Sequence, residues 1–176
     1  MIEFRRYDPR DSEPAWELHE WAMREAGTDP ADIPGIEDLR DVEGTYFDAG
    51  GDFLVGVVDN GESDVPSTFD GALVAMGGFM PSEHGHEDER TVSGAAELHR
   101  MRVAPPVQGE GYGKQLLREL ERRIAERDFE RIIATTAVNQ KRAVSFYPTA
   151  GYREVDRSTL GEFRLVHFEK SVDRKE

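Results

Sequence analysis

Cysteine is absent from this chain of 176 residues, which excludes disulfides, thiolate metal sites and a cysteine nucleophile. Lysine is nearly absent too. Only Lys114, Lys141, Lys170 and Lys175 occur, so arginine supplies most of the 22 cations, and these face 36 carboxylates for a formal net charge of −14. Phosphate backbones need a basic surface, so general nucleic-acid binding is excluded. No uncharged run approaches the ~20 apolar residues of a membrane span. The stretch Met1–Tyr7 lacks the apolar core of a secretion signal. These absences imply a soluble, cytoplasmic protein with no membrane partner. An acidic surplus with little lysine fits salt adaptation, in which a dense anionic surface stays hydrated, although an ordinary acidic protein has the same balance.

What is present is enough for one core, and no repeat or composition break divides residues 1–176 into two domains. Ile2 to Tyr7 reads as a short strand, and a helix from Ser12 carries Trp16, Leu18, Trp21, Ala22 and Met23 until Gly27 stops it. Residues 28–50 are irregular and acidic, with one helix around Ile36 to Phe47; they read as a mobile segment over a site or a solvated connector. Phe53–Val58 and Ala72–Phe79 predict an antiparallel pair, followed by a charged loop with His84 and His86. A His-x-His in such a loop has no framework to fix a metal, so no metal site is assigned.

Ala96 to Val103 is the next strand. Gly113 to Arg127 is the clearest helix, with Leu116, Leu117, Leu120 and Ile124 on one face and a solvated ion-pair face opposite. Arg131 to Thr135 completes a βαβ-type unit. A short helix from Gln140 to Tyr147 and a hairpin of Tyr152–Val155 with Phe163–Phe168 close the chain. Antiparallel strands followed by a βαβ unit predict an α/β domain: a mixed, mostly antiparallel sheet of about six or seven strands, with helices on both faces.

The most informative segment runs from Val103 through Gln108-Gly109-Glu110-Gly111-Tyr112-Gly113 to Lys114, between a strand and an amphipathic helix. Glycines at alternate positions let successive N–H groups face one concavity, and the helix N-terminus adds partial positive charge. Together they predict a phosphate cradle. It is not a P-loop, because Gln108 stands where the first glycine belongs and Gln115 where Ser or Thr must hold magnesium. Nor is it G-x-G-x-x-G, and it follows antiparallel strands where a dinucleotide fold would open with it.

Gln108, Gly111 and Gly113 match the Gln/Arg-x-x-Gly-x-Gly/Ala pattern, and in this the chain resembles the GNAT (GCN5-related) N-acetyltransferase family. The likeness extends upstream to Glu97–Val103 and downstream to Ala143, Phe146-Tyr147 and Gly151-Tyr152. It departs in having Gln140 where the family has Asn, with Asn139 one residue earlier, and in Pro148 directly after Tyr147, which should end or kink the helix.

The resemblance implies acetyl transfer from acetyl-CoA, as co-substrate and without a metal, to a small-molecule, peptide or protein amine, by direct transfer in a ternary complex. It leaves room for a homodimer. A non-catalytic acyl-CoA-binding or regulatory module on the same fold is the alternative. The cofactor-binding residues it implies are Met101, Arg102, Val103, Gln108, Gly109, Glu110, Gly111, Tyr112, Gly113, Lys114, Asn139, Gln140 and Phe146. Glu97 is the candidate for drawing the amine proton or binding the ammonium, with His99 as runner-up. Tyr147 is the candidate general acid for the departing thiolate. Simple alternation puts Glu97, His99, Met101 and Val103 on one face of the strand, with Leu98, Arg100 and Arg102 on the other. Pairing of that strand with the pantetheine arm requires the sheet to splay beside it.

Overall fold

The computed structural model describes residues 2–27, 36–59, 64–84 and 91–172. The strands are β1 (Glu3–Arg6), β2 (Asp52–Val58), β3 (Ser67–Thr68), β4 (Gly71–Pro81), β5 (Ala95–Val103), β6 (Arg131–Ala137), β7 (Arg153–Leu160) and β8 (Phe163–Ser171). They form an 8-stranded sheet in the order β1-β2-β4-β5-β6-β8-β7, with β3 paired to β4 off this path. The count exceeds the expected six or seven, since the two-residue β3 carries no periodic signal. Only β5 and β6 run parallel.

The sheet separates two apolar layers. On one face lies helix α1 (Ser12–Glu25), whose Ala15, Leu18 and Ala22 make a buried stripe at helical spacing. On the other lie α2 (Tyr112–Ala125) and α3 (Lys141–Thr149). Leu116, Leu117, Leu120 and Ile124 of α2 are completely or almost completely buried, each contributing roughly 1.5–3 kcal/mol of burial. The outer face of α2 is the ion-pair ladder expected, Arg122 reaching Glu119 and Glu126 at 2.6 Å each. One arginine of that helix does more. Arg123 meets buried Asp52 of β2 at 2.9 Å, and Arg6 meets the same carboxylate at 2.9 Å, tying α2 to the sheet.

The stretch after α1 differs from expectation. Ile36–Arg40 is a 3-10 turn and Glu43–Phe47 a π-helical turn, and Leu39, Val42 and Tyr46 are buried in the α1-side core. It is therefore neither a solvated connector nor one helix. Residues 28–35 of this stretch, and His86 of the His-x-His, lie outside the described residues.

Candidate active site

Strands β5 and β6 pair in register only from Ala95 with Arg131 to Leu98 with Ala134. Beyond Leu98 both strands continue, β5 to Val103 and β6 to Ala137, without pairing. The sheet splays there and opens a cleft of about 1400 Å³. Its walls come from β5, the glycine turn, the start of α2, the end of β6, α3 and the C-terminal end of α1. Unpaired backbone groups of β5 at such an edge can accept an extended ligand as an added strand.

The splay side of β5 carries a bulge. Gly78 pairs with His99 but Met76 pairs with Arg102, so β5 has one residue more than β4 over this interval. The extra residue is Arg100, whose φ of 54° is the positive non-glycine value among the described residues. Opposite it, a Cβ on Gly77 would come within 2.6 Å of Met101 Sδ, so a side chain there would have to displace the Met101 thioether. The bulge reverses the alternation. Leu98 packs in the α2-side core, and so do Met101 and Val103, while Glu97, His99 and Arg102 belong to the opposite face. The expectation that Glu97, His99, Met101 and Val103 share a face fails for this reason.

The glycine turn behaves as its sequence suggests. Gly109 and Gly111 have φ of 88° and 89°, a region costly for residues with a Cβ. Gly111 is the N-cap of α2; no side chain caps that terminus and no acidic residue lies in its first turn. The first N–H groups of a helix have no partner within it, so this end is free for an anion. Gly113 sits against Val103 and Phe146, where an added Cβ would stand 3.6 Å from Val103 Cγ2. Gln108 turns inward, its Nε2 donating to the Val103 carbonyl at 3.0 Å, and so pins the turn to the end of β5. Gly109, Tyr112 and Lys114 also line the cleft, whereas Glu110 is exposed and does not. Asn139 and Gln140 both line it, Gln140 as the N-cap of α3, and Phe146 stands beside them.

Tyr147 is 6% exposed, enclosed by Phe146, Tyr152 and Phe168 at ring distances of 5.5, 5.4 and 5.3 Å. It lines the cleft, and its hydroxyl makes no hydrogen bond to any described residue. Pro148 falls one residue before the end of α3, so the helix stops there as predicted, and the tyrosine still faces the cleft. Burial pushes the Tyr147 hydroxyl up to about 12, against the opposing effect of the Arg102 charge. A free thiol titrates near ~8.5, so complete proton transfer to a free thiolate would run uphill by roughly 5 kcal/mol. The phenol is suited to donating a hydrogen bond to developing charge on sulfur, not to surrendering its proton outright.

Glu97 is fully buried and is not among the cleft-lining residues. Among the described residues neither of its oxygens has a hydrogen-bond partner, and His99 Nε2 stands 3.9 Å from Oε2. His99 itself lines the cleft, with Tyr46 Oη 3.3 Å from its Nδ1. Tyr46 in turn donates a short hydrogen bond to Asp38, and Arg100 grips the same carboxylate at 3.0 and 3.1 Å. Burial opposes ionisation of Asp38, but Arg100 outweighs it and holds the carboxyl below its usual range. Asp38, Tyr46 and Arg100 were not among the sequence candidates. The one local signal was the spacing of Leu39, Val42 and Tyr46, which marks a buried face without saying what it meets. Among the described residues no cluster of three potential metal ligands occurs, and no helix is long and apolar enough to cross a membrane.

A profile of the Acetyltransferase (GNAT) family matches residues 14–152, and the chain belongs to that family. No curated protein sequence matches it. Among solved structures, a GNAT-family acetyltransferase from Staphylococcus aureus Mu50 is 18% identical with a TM-score of 0.77, covering 98% of this chain and 100% of that one. YncA from Salmonella typhimurium, solved with acetyl-CoA, is 17% identical with a TM-score of 0.69, covering 100% and 96%. PaiA N-acetyltransferase from Thermoplasma acidophilum, solved with coenzyme A, is 16% identical with a TM-score of 0.66, covering 95% and 98%.

Proposed function

We propose that the protein transfers an acetyl group from acetyl-CoA to a primary amine, with both bound at once in the cleft. The observation that carries this reading is the placement of the uncapped glycine turn and Tyr147 on one cleft, opened by the splay of β5 from β6. YncA and PaiA, which share this fold, were solved with acetyl-CoA and coenzyme A. The cradle suits a pyrophosphate, since Gly109 and Gly111 present no Cβ and no acidic residue lies in the first turn of α2. Gly109, Gly111, Tyr112, Gly113 and Lys114 would hold the phosphates. The β5 backbone at Met101–Val103 would pair with the pantetheine arm, and Asn139, Gln140 and Phe146 would form the facing wall. Lys114, Lys141 and Arg142 gather positive charge along this cleft in a protein of net charge −14.

Acetyl-CoA supplies an acyl carbon already activated as a thioester. The amine nitrogen forms a bond to that carbon as the carbon–sulfur bond breaks; the amine loses one proton, and the sulfur leaves as a thiolate that takes its proton from solvent. His99 faces the cleft with Glu97 behind it, so the imidazole receives the amine proton and the buried carboxylate supports the resulting charge. Tyr147 donates a hydrogen bond to the sulfur. Holding both reactants in one cleft supplies much of the rate, up to ~7–11 kcal/mol in favourable cases. Calorimetry with acetyl-CoA, followed by thiol release with a panel of amines, tests the reading. Absence of acetyl-CoA binding overturns it, and binding without thiol release for any amine leaves the non-catalytic module.

A further inference from the structure

Arginines near the core of this protein have carboxylate partners: Arg5 with Asp11, Arg123 with Asp52, Arg100 with Asp38. Arg102 departs from that rule. It is partly buried, lines the cleft, and makes no ion pair with any described residue. Its guanidinium bonds a neighbouring carbonyl, Nη1 donating to Met101 O at 2.8 Å, and its Nε is buried with no hydrogen-bond partner among the described residues. A buried unsatisfied donor is costly, more so on a charged group.

The bulge at Arg100 decides where this cation points. Met101 and Val103 pack toward α2, so Arg102 between them projects toward the α1 side of the cleft, where its charge is felt by His19 and where Asp38 and Tyr46 lie, and it is near enough to act on Tyr147 as well. Asp38 cannot neutralise it, being held by Arg100 and Tyr46. His19 is completely buried with no hydrogen-bond partner at either nitrogen among the described residues, and burial together with the Arg102 and Arg100 charges drives its pKa down to about 3, so it is neutral. The phosphate cradle is on the other side of the strand, and the pantetheine and thioester of the cofactor carry no charge. An anion held at Arg102 before the reaction begins therefore comes from the acceptor.

We propose that Arg102 binds a carboxylate on the acceptor, and that the acceptor is a small amine bearing its own carboxylate, of the amino-acid class. This rests on the acetyltransferase reading. The planar guanidinium fork matches a carboxylate bidentately. A zwitterion has no net charge and so is not repelled by the strongly acidic surface, as a simple anion would be.

The test measures thiol release with amino acids, each paired with its own carboxamide, and calorimetric binding of the N-acetylated acids and amides to the CoA-saturated protein. Wild type should favour acids over amides by at least about tenfold in kcat/KM and in product affinity. Arg102→Gln should bring the ratio close to one, mainly through KM, and Arg102→Lys should keep part of it. Acetyl-CoA affinity is measured for each variant. A loss of that affinity in Arg102→Gln matching the loss of acid preference would put the guanidinium on the cofactor and overturn the proposal. Equal use and equal binding of acids and amides by wild type would overturn it while leaving acetyl transfer intact. Failure of wild type to bind acetyl-CoA would remove both. If Arg102→Gln does not fold, the wild-type acid-to-amide ratio and Arg102→Lys decide the matter.

Discussion

The two sides of the cleft are made of different materials. The α2 side is backbone: glycines with positive φ, an uncapped helix end and an unpaired strand edge, all within residues 98–114. The α1 side is side chains from distant segments, with Asp38 and Arg100 62 positions apart and Tyr46 and His99 53 apart. A backbone site recognises a constant ligand and tolerates little change, because any Cβ alters its geometry. A side-chain site can be rewritten one residue at a time. Under the proposed function the co-substrate would lie along the backbone wall and the acceptor along the side-chain wall.

Four experiments would break or sharpen that contrast. The largest effect is expected from Asp38→Ala, which removes a buried carboxylate held by both Arg100 and Tyr46 and should destabilise the fold by about 3–5 kcal/mol. Because the Asp38 carboxyl lies below its usual 3.8, its contribution is complete above that pH and is lost as the pH falls through the lowered value. The gap in unfolding free energy between wild type and Asp38→Ala should therefore be constant near neutrality and narrow below pH 3.8. A gap that grew on acidification would remove the ion pair from this account. Acetyl-CoA affinity of the folded variant should stay within about threefold of wild type if the two walls are independent.

Next is Gly111→Val. Its φ of 89° is unfavourable for valine, and the branched side chain would fill the cradle. Acetyl-CoA affinity should fall by at least about a hundredfold, with a stability cost of roughly 1–3 kcal/mol. Gly113→Val should act similarly by pressing on Val103 and Phe146, with a smaller backbone penalty because its φ is not positive. Unchanged calorimetric affinity in a folded variant would dismiss the cradle.

Tyr147→Phe keeps the ring packing, so stability should change by only ~1 kcal/mol. Its effect belongs to the transition state: kcat should drop at least about tenfold while acetyl-CoA affinity holds. Equal kcat at saturating acetyl-CoA would make Tyr147 a packing residue. The smallest effect concerns the whole surface. Screening should relieve self-repulsion at −14, raising Tm steadily from low to molar KCl. A flat or falling Tm would end the salt-adaptation reading and leave both walls untouched.

Much of the α2 wall was legible in the sequence because its information is local. The helical stripe of Leu116, Leu117, Leu120 and Ile124, the alternate glycines and the proline stop at the end of α3 each act within a few residues. Local sterics and periodicity act the same way wherever the chain runs, so residues alone determined α1, α2, α3, most strands and the glycine turn between β5 and α2. Tertiary structure decided the rest. Whether β5 keeps its alternation is decided by its pairing with β4, and the bulge formed there puts Arg102 on the α1 wall beside His99. Glu97, correctly placed on β5, proved to be sealed behind His99, a fact of packing that no spacing records. Asp38 looked like one acid among 36 until Arg100 and Tyr46 closed on it. Register, splay and burial are set by pairings between remote segments, and the free energy that selects them exists only once those segments meet.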